Sequence, residues 1–235
     1  MPCRLLIIPL ALCISINCFS QQELISSALI TRLDSIRMST GKASYFAELY
    51  LQTTMAAEMY IQTLPSEERQ LMKKLEQNFA SYFFRAVEAD NSGNEVPDEW
   101  KNYFNGKQLS GLQRKLMGAN AHINGDICQA LVSSFSLEEI KMLKPVYKKY
   151  NKTINKVFGD LFESAIGSHK RLRNLHSITL GLDKVYGKMM LQKWRNRQLR
   201  LAVFNFERLK KFERVKKRTA NKKERIDRMI IKRLR

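Results

Sequence analysis

Proline and glycine are scarce in this chain, five and ten in 235 residues, and no stretch alternates convincingly between apolar and polar with a period of two. Sheet-based architectures need both features, so strands are excluded as the main scaffold. No glycine-rich phosphate loop, dinucleotide fingerprint, nucleophile elbow or paired-cysteine metal motif is present. Histidine is limited to His122, His169 and His176, too few for a centre built on many imidazoles. Cysteine is limited to Cys3, Cys13, Cys18 and Cys128, three of them close to the N-terminus.

Those three cysteines fall in a stretch that reads as an export signal. Arg4 supplies the positive charge, and "LLIIPLALCISI" is an apolar run of about 12 residues, too short to span a bilayer. Cys18-Phe19-Ser20 then offers small residues for cleavage between Ser20 and Gln21. The expectation is a signal peptide over 1–20 and an exported, periplasmic or secreted chain. The alternative is a lipoprotein anchored at Cys18, which Asn17 before it fits poorly. Loss of residues 1–20 leaves Cys128 alone, with no disulfide partner and no second thiolate for zinc. It reads as a small buried apolar residue. Stability must come from a hydrophobic core, for which residues 21–200 suffice as one domain.

The basic excess is local. From Arg195 to Arg235 there are 17 Lys or Arg against 4 Asp or Glu, so this stretch holds +13 of the net +19. Its charges interleave with Leu209, Phe212, Val215, Ile226, Met229, Ile230 and Leu234 at helical spacing. Residues 201–235 are expected to form a basic amphipathic C-terminal helix. Either its apolar stripe docks it as a solvated face, or it holds the chain on an anionic membrane or envelope surface. The residues for the second role are Lys210, Lys211, Arg214, Lys216, Lys217, Arg218, Lys222 and Lys223. Nucleic acid is the weaker partner, because no groove-reading motif accompanies the patch and export argues against it.

Between the two ends the spacing is helical. Leu64-Pro65-Ser66 predicts a stop and restart with Ser66 as cap. The polar turn 90–94 ends the next helix, and Pro97 with Asp98 and Glu99 opens another. A central helix is predicted from about Ser110 to Ser134. Ser136 and Glu139 form a capping box for the following one, which Pro145 is expected to kink or restart. The fold class is all-α: a single helical-bundle domain with a basic amphipathic helix at its end.

The central helix carries "GANAHINGDICQAL", residues 118–131. At about 100° per residue, Leu112, Leu116, Ala119, Ile123, Ile127 and Ala130 make the core stripe. Asp126 falls at its edge, and His122 lies one step further round as its i, i+4 neighbour. A carboxylate there is partly buried, which is costly unless it is paired or ligates a cation. Asn120 and Asn124 fall on the opposite flank and are expected to bond neighbouring helices. Gly118 and Gly125 weaken a helix by about 1 kcal/mol each relative to Ala, which suits the close approach of another backbone or a ligand. His169 and His176 read as surface residues, Trp100 and Trp194 as packing anchors.

"NFASYFFRAVEAD", "VPDEW", "LMGANAHINGDICQAL" and "YNKTINKVF", in this order, resemble an uncharacterised bacterial family, the domain of unknown function 5995. Its core motif is close to G-x-N-A-H-I-N-x-D-L, matched here by Gly118, Asn120, Ala121, His122, Ile123, Asn124 and Asp126, with Ile127 in place of the final leucine. The resemblance covers roughly residues 45–200 and implies a helical domain without an established activity. "HINGDICQAL" is also faintly similar to the H-x-x-G-D-x-x-Q-P-L-H segment of the zinc-dependent phospholipase C and single-strand nuclease superfamily, which is all-α. That similarity would make His122 and Asp126 zinc ligands. Ala130 departs from its proline and Val132 from its last histidine, so at most one divalent metal is implied. A third ligand would come from Glu48, Glu58, Glu88 or Asp160.

Two functions follow for the His122–Asp126 pair. In the first, the chain is a hydrolase whose pair binds one metal (zinc) or moves a proton, and His122 and Asp126 line a solvent-reachable cleft. In the second, the chain is a non-catalytic envelope protein, the pair is a sealed structural contact, and the basic tail does the binding.

Overall fold

The computed structural model describes residues 28–168 and 182–234, with side chains from 158 to 188 left aside. Residues 1–27, and with them the export signal and Cys18, lie outside the described residues, as do His169 and His176. Among the described residues there is no strand, and no helix is long and apolar enough to cross a membrane.

The chain forms α1 (28–38), α2 (Ser44–Gln62) and α3 (Ser66–Asn91), then a tight turn Asp98–Trp100 leading into α4 (Lys101–Asn105). The motif segment follows as α5 (Gly111–Ala121), one wide π-turn (His122–Asp126) and α6 (Ile127–Ser134). Next come α7 (Leu137–Ser168), α8 (Leu182–Glu207) and α9 (Leu209–Arg233).

Most predicted boundaries have the expected chemistry. Gly93 takes a left-handed φ of 68° in the polar turn after α3, a conformation that glycine adopts without a Cβ penalty. Ser136 and Glu139 bond each other's backbone amides at 3.2 and 2.7 Å, and Ser110 with Gln113 makes the same box at α5. Two expectations are corrected. Pro65, not Ser66, holds the N-cap position of α3, and its carbonyl accepts the Arg69 amide at 2.9 Å. Pro145 does not restart the helix: α7 runs through it from Leu137 to Ser168. Pro145 and Lys141 are exposed there, so water can take the carbonyl that proline leaves without a donor.

Two apolar clusters fill the bundle. One gathers α1, α2, α3, α4, α5 and the end of α9 around Phe46, Phe83, Trp100 and Ile230. The other joins α2, α3, α6, α7 and α8 around Met72, Leu131, Leu143 and Tyr147. The motif segment belongs to both: Met117 and Ala121 to the first, Ile123, Ile127 and Leu131 to the second. The π-turn sits where they meet.

The basic C-terminal segment is part of this bundle. Arg208 breaks the helix between α8 and α9, so residues 195–207 complete α8, where Arg195 and Gln198 are buried. On α9, Phe212, Thr219, Lys223, Asp227 and Ile230 are buried, at spacings of three, four and seven that face one side of a helix.

Candidate functional site

His122 stands on the first residue of the π-turn and is 3% exposed. Its ring lies flat on Phe79, centroids 3.5 Å apart and planes 11° apart, with Tyr50 edge-on at 4.5 Å. Nδ1 lies 2.8 Å from Asp126 Oδ2, across the π-turn. Asp126 is sealed beneath it, and the same Oδ2 accepts the indole N–H of Trp100 at 3.1 Å. Trp100 is thus a packing anchor that also orients the carboxylate, a role that its sequence position did not reveal.

Burial dictates the charge state. It drives the His122 pKa well below 6.5, aided by the nearby Arg195 cation. Burial also raises the Asp126 pKa well above 3.8, with Glu99 adding to the effect and Trp100 opposing it. An imidazolium–carboxylate pair is disfavoured in such surroundings. The pair holds one shared proton at the Asp126–Nδ1 contact, and its neutral form places a second on Nε2. That atom is buried and has no hydrogen-bond partner among the described residues.

His122 forms part of the wall of a narrow cleft of about 60 Å³, room for about two waters. Tyr50, Thr54, Phe79, Tyr150 and Arg195 line it too. Arg195 is buried on α8; its Nε donates to Asn151 Oδ1, and its guanidinium lies 5.2 Å from the Tyr150 ring centroid. Behind this wall Tyr150 donates its hydroxyl to Glu76 at 3.2 Å. Burial, reinforced by Glu58, pushes the Glu76 carboxyl up to about 8. Arg195, Tyr150 and Glu76 had no motif to mark them in sequence.

The opposite flank of the motif is given to α9, as its phase on the helical wheel predicted. Asn120 donates to the Asp227 carboxylate at 2.8 Å and to the Lys223 carbonyl at 3.0 Å. Asn124 donates to Asn120 Oδ1 at 2.8 Å, and its own carbonyl accepts from Gln198 at 3.0 Å. The glycines make way for side chains, not for a backbone or a ligand. A Cβ on Gly118 would lie 2.4 Å from Phe46 Cγ, and one on Gly125 would lie 2.4 Å from Glu99 Cγ.

The proposed metal ligands do not assemble. Glu48 pairs with Lys115 at 2.8 Å, Glu58 with Lys73 at 3.1 Å, and Glu88 with Arg32. The Asp160 side chain lies outside the described residues. Among the described residues no group of three His, Cys, Asp or Glu could hold a metal ion. Among the described residues, the zinc ligation implied by the phospholipase C similarity therefore finds no third ligand.

The tail residues divide. Lys210, Arg214, Lys216, Lys217 and Arg218 are exposed, whereas Lys211 and Lys222 are half-buried. Lys223 leaves the surface-binding set: it is buried and paired with Asp227 at 2.9 Å. Its place on the inner side of α9, in line with Thr219 and Asp227, is the reason.

A family model matches residues 24–233. The chain belongs to the family of unknown function DUF5995. The family match extends beyond 45–200 to take in α1 and nearly all of α9, in keeping with a C-terminal helix bonded to the motif. Neither the curated proteins nor the solved structures give a match. In this member the motif divides its labour: His122 and Asp126 make the buried pair, Asn120 and Asn124 hold α8 and α9, and Gly118 admits Phe46.

Proposed function

We propose that the chain is an acid–base enzyme of hydrolase type, with His122 as the group that transfers a proton at the cleft between α2, α7 and α8. One observation carries this reading. The Nε2 atom of His122 is an orphaned buried polar atom on a residue that lines a cleft, while its Nδ1 is held by a sealed carboxylate. Burying an unmet polar atom costs about 1–3 kcal/mol, and a substrate group bonded to Nε2 would recover that cost.

In the neutral pair His122 donates from Nε2 to the leaving group of a substrate, and the Asp126 proton passes to Nδ1. Asp126 becomes a carboxylate steadied by the Trp100 N–H; water adds its oxygen to the reacting centre as the leaving-group bond breaks and gives its proton to Nε2, and the Nδ1 proton returns to Asp126. Arg195 answers negative charge, so a phosphate ester is the matching class, with only its scissile group entering a cleft of about 60 Å³; a carboxylic ester would present charge there only as its oxyanion develops. His122 is the catalytic residue, while Asp126 and Trp100 position it. The test is turnover of p-nitrophenyl carboxylate and phosphate esters by wild type, His122→Gln and Asp126→Asn. A loss of about 100-fold or more in His122→Gln, with the fold intact by circular dichroism, is expected. Turnover unchanged by that substitution, or absent throughout the panel, counts against it.

A second reading is favoured by a separate observation. Lys210, Arg214, Lys217 and Arg218 are exposed on α9, and Leu209 and Phe206 at the α8–α9 corner are 64% and 42% exposed. Cations beside exposed apolar side chains suit adsorption to an anionic lipid or envelope surface. This role fits an exported chain, and it is compatible with the cleft.

A further inference from the structure

The wall of the His122 cleft carries one buried cation whose charge the protein leaves unanswered. Arg195 is 5% exposed on α8. Among the described residues its side chain makes one hydrogen bond, from Nε to Asn151 Oδ1, and lies over the rings of Tyr147 and Tyr150. No carboxylate there pairs with it. Its two Nη nitrogens have no hydrogen-bond partner among those residues, yet they are not sealed from solvent. They keep some accessible surface, and the His122 cleft is the opening that Arg195 lines.

The nearby acids do not compensate this charge. Burial above all holds the Glu76 carboxyl up to about 8, so it is protonated at neutral pH and bonded to Tyr150. Asp126 shares its proton with His122, and Glu58 pairs with Lys73 at 3.1 Å. Burial keeps the His122 imidazole neutral. Much of the remaining wall is apolar, with Leu49, Ile154 and Leu191 beside Thr53. The cleft thus carries a single positive charge. A buried charge without a partner is costly, and an anion at the Nη nitrogens removes that cost. A second negative charge would enter the same surroundings with no cation to meet it. The planar guanidinium fork suits two oxygens of one group. A volume of about 60 Å³ admits the charged end of a ligand but not its body.

We propose that the cleft binds a singly charged organic oxyanion, received by Arg195, with an apolar body resting on the wall around Leu49 and Leu191. A carboxylate and a phosphate diester share this chemistry. The proposal goes beyond the acid–base reading, since it holds whether or not His122 turns the ligand over.

The test titrates the full chain at pH 7 with four ligands, by calorimetry and amide NMR. Two of them, 3-phenylpropionate and methyl phenyl phosphate, carry one charge. Phenyl phosphate, with a second pKa of about 6, carries nearly two, and 3-phenylpropanol carries none. Arg195→Gln removes the cation, and Thr53→Phe narrows the cleft from a half-buried position on α2. At least one singly charged ligand is expected to bind wild type saturably, at least tenfold tighter than phenyl phosphate and the alcohol. The tighter of the two tells carboxylate from phosphate. It should bind at least tenfold more weakly to both variants. The proposal is overturned by no saturable binding of either singly charged ligand, by equal binding of phenyl phosphate or the alcohol, or by undiminished binding in Thr53→Phe. Because Thr53 is outside the buried core, that variant decides the matter even if Arg195→Gln folds poorly. Binding is read apart from turnover, so a ligand bound but not cleaved would count against the acid–base reading alone.

Discussion

Asn120 donates its side-chain amide to the carboxylate of Asp227 at 2.8 Å, across 107 residues of sequence. Asp227 is itself buried with Lys223, and its second oxygen also accepts from Asn102 at 3.0 Å. A residue of the central motif thus meets a charge pair on the most basic helix of the chain. Through this contact α9 is bonded to the central motif.

Breaking that contact should show it. Asp227→Ala leaves the Lys223 ammonium without its nearest carboxylate, and loss of about 3–5 kcal/mol is expected. Asn120→Ala should cost about 1–3 kcal/mol, and the double variant less than the two effects added, because they share one network. Urea unfolding of the three variants is the measurement. A cost under about 1 kcal/mol for Asp227→Ala would mean that α9 is not part of the folding unit.

The two motif glycines should differ. Alanine at 118 gains about 1 kcal/mol of helix propensity but drives a Cβ into the buried Phe46 ring, and overpacking costs about 1–3 kcal/mol. Alanine at 125 meets Glu99, a half-buried side chain that can swing away. Thermal unfolding should therefore place Gly118→Ala below wild type and Gly125→Ala above Gly118→Ala. The reverse order would show that Phe46 yields more readily than Glu99.

Glu76 should set a pH dependence of stability. Its carboxyl is held up from 4.5 to about 8 in the folded chain, so between those values the folded state binds a proton that the unfolded state has released. The stabilisation is complete below 4.5 and is lost as pH rises towards 8, at about 1.4 kcal/mol per pH unit. His122 acts in the opposite sense. Its folded pKa lies below 6.5, so stability falls as pH drops beneath that value. The difference in unfolding free energy between wild type and Glu76→Gln isolates the carboxyl, and it should move against wild type from pH 5 to pH 8. A flat difference would show Glu76 to be ionised in the fold.

Adsorption through α9 should be testable without removing the helix, since truncation would uncover Phe212 and Ile230 and strip the partners of Asn120. Replacing Lys210, Arg214, Lys217 and Arg218 by glutamine alters exposed positions alone. Binding to vesicles containing anionic lipid, measured by co-sedimentation, should fall severalfold in the variant and fall in wild type as salt is raised. Adsorption indifferent to both would leave that surface role without support.

Local chemistry was legible in the sequence to a large extent. Helical periodicity identified the all-α class, the Ser136–Glu139 box marked the start of α7, and four-residue spacing placed His122 beside Asp126. Phase on the same helix put Asn120 and Asn124 on the other flank, where they bond to α8 and α9. The π-turn was not legible, because a widened turn keeps the residue types and nearly the periodicity of an α-helix. Nor was the fate of Lys223: a lysine among lysines reads as solvent-exposed until its inner face meets Asp227 and the amide of Asn120.

What the sequence by itself determined is therefore what depends on neighbours a turn or less apart: element type, caps, the His122–Asp126 contact and the clustering of positive charge. The tertiary structure decided everything that depends on packing between distant helices. It sealed Asp126 under Trp100, laid His122 on Phe79, and brought Arg195 and Tyr150 to the same cleft. It also docked α9. Burial is a property of the assembled bundle, and burial is what turns an ordinary histidine, aspartate and glutamate into groups with displaced pKa values.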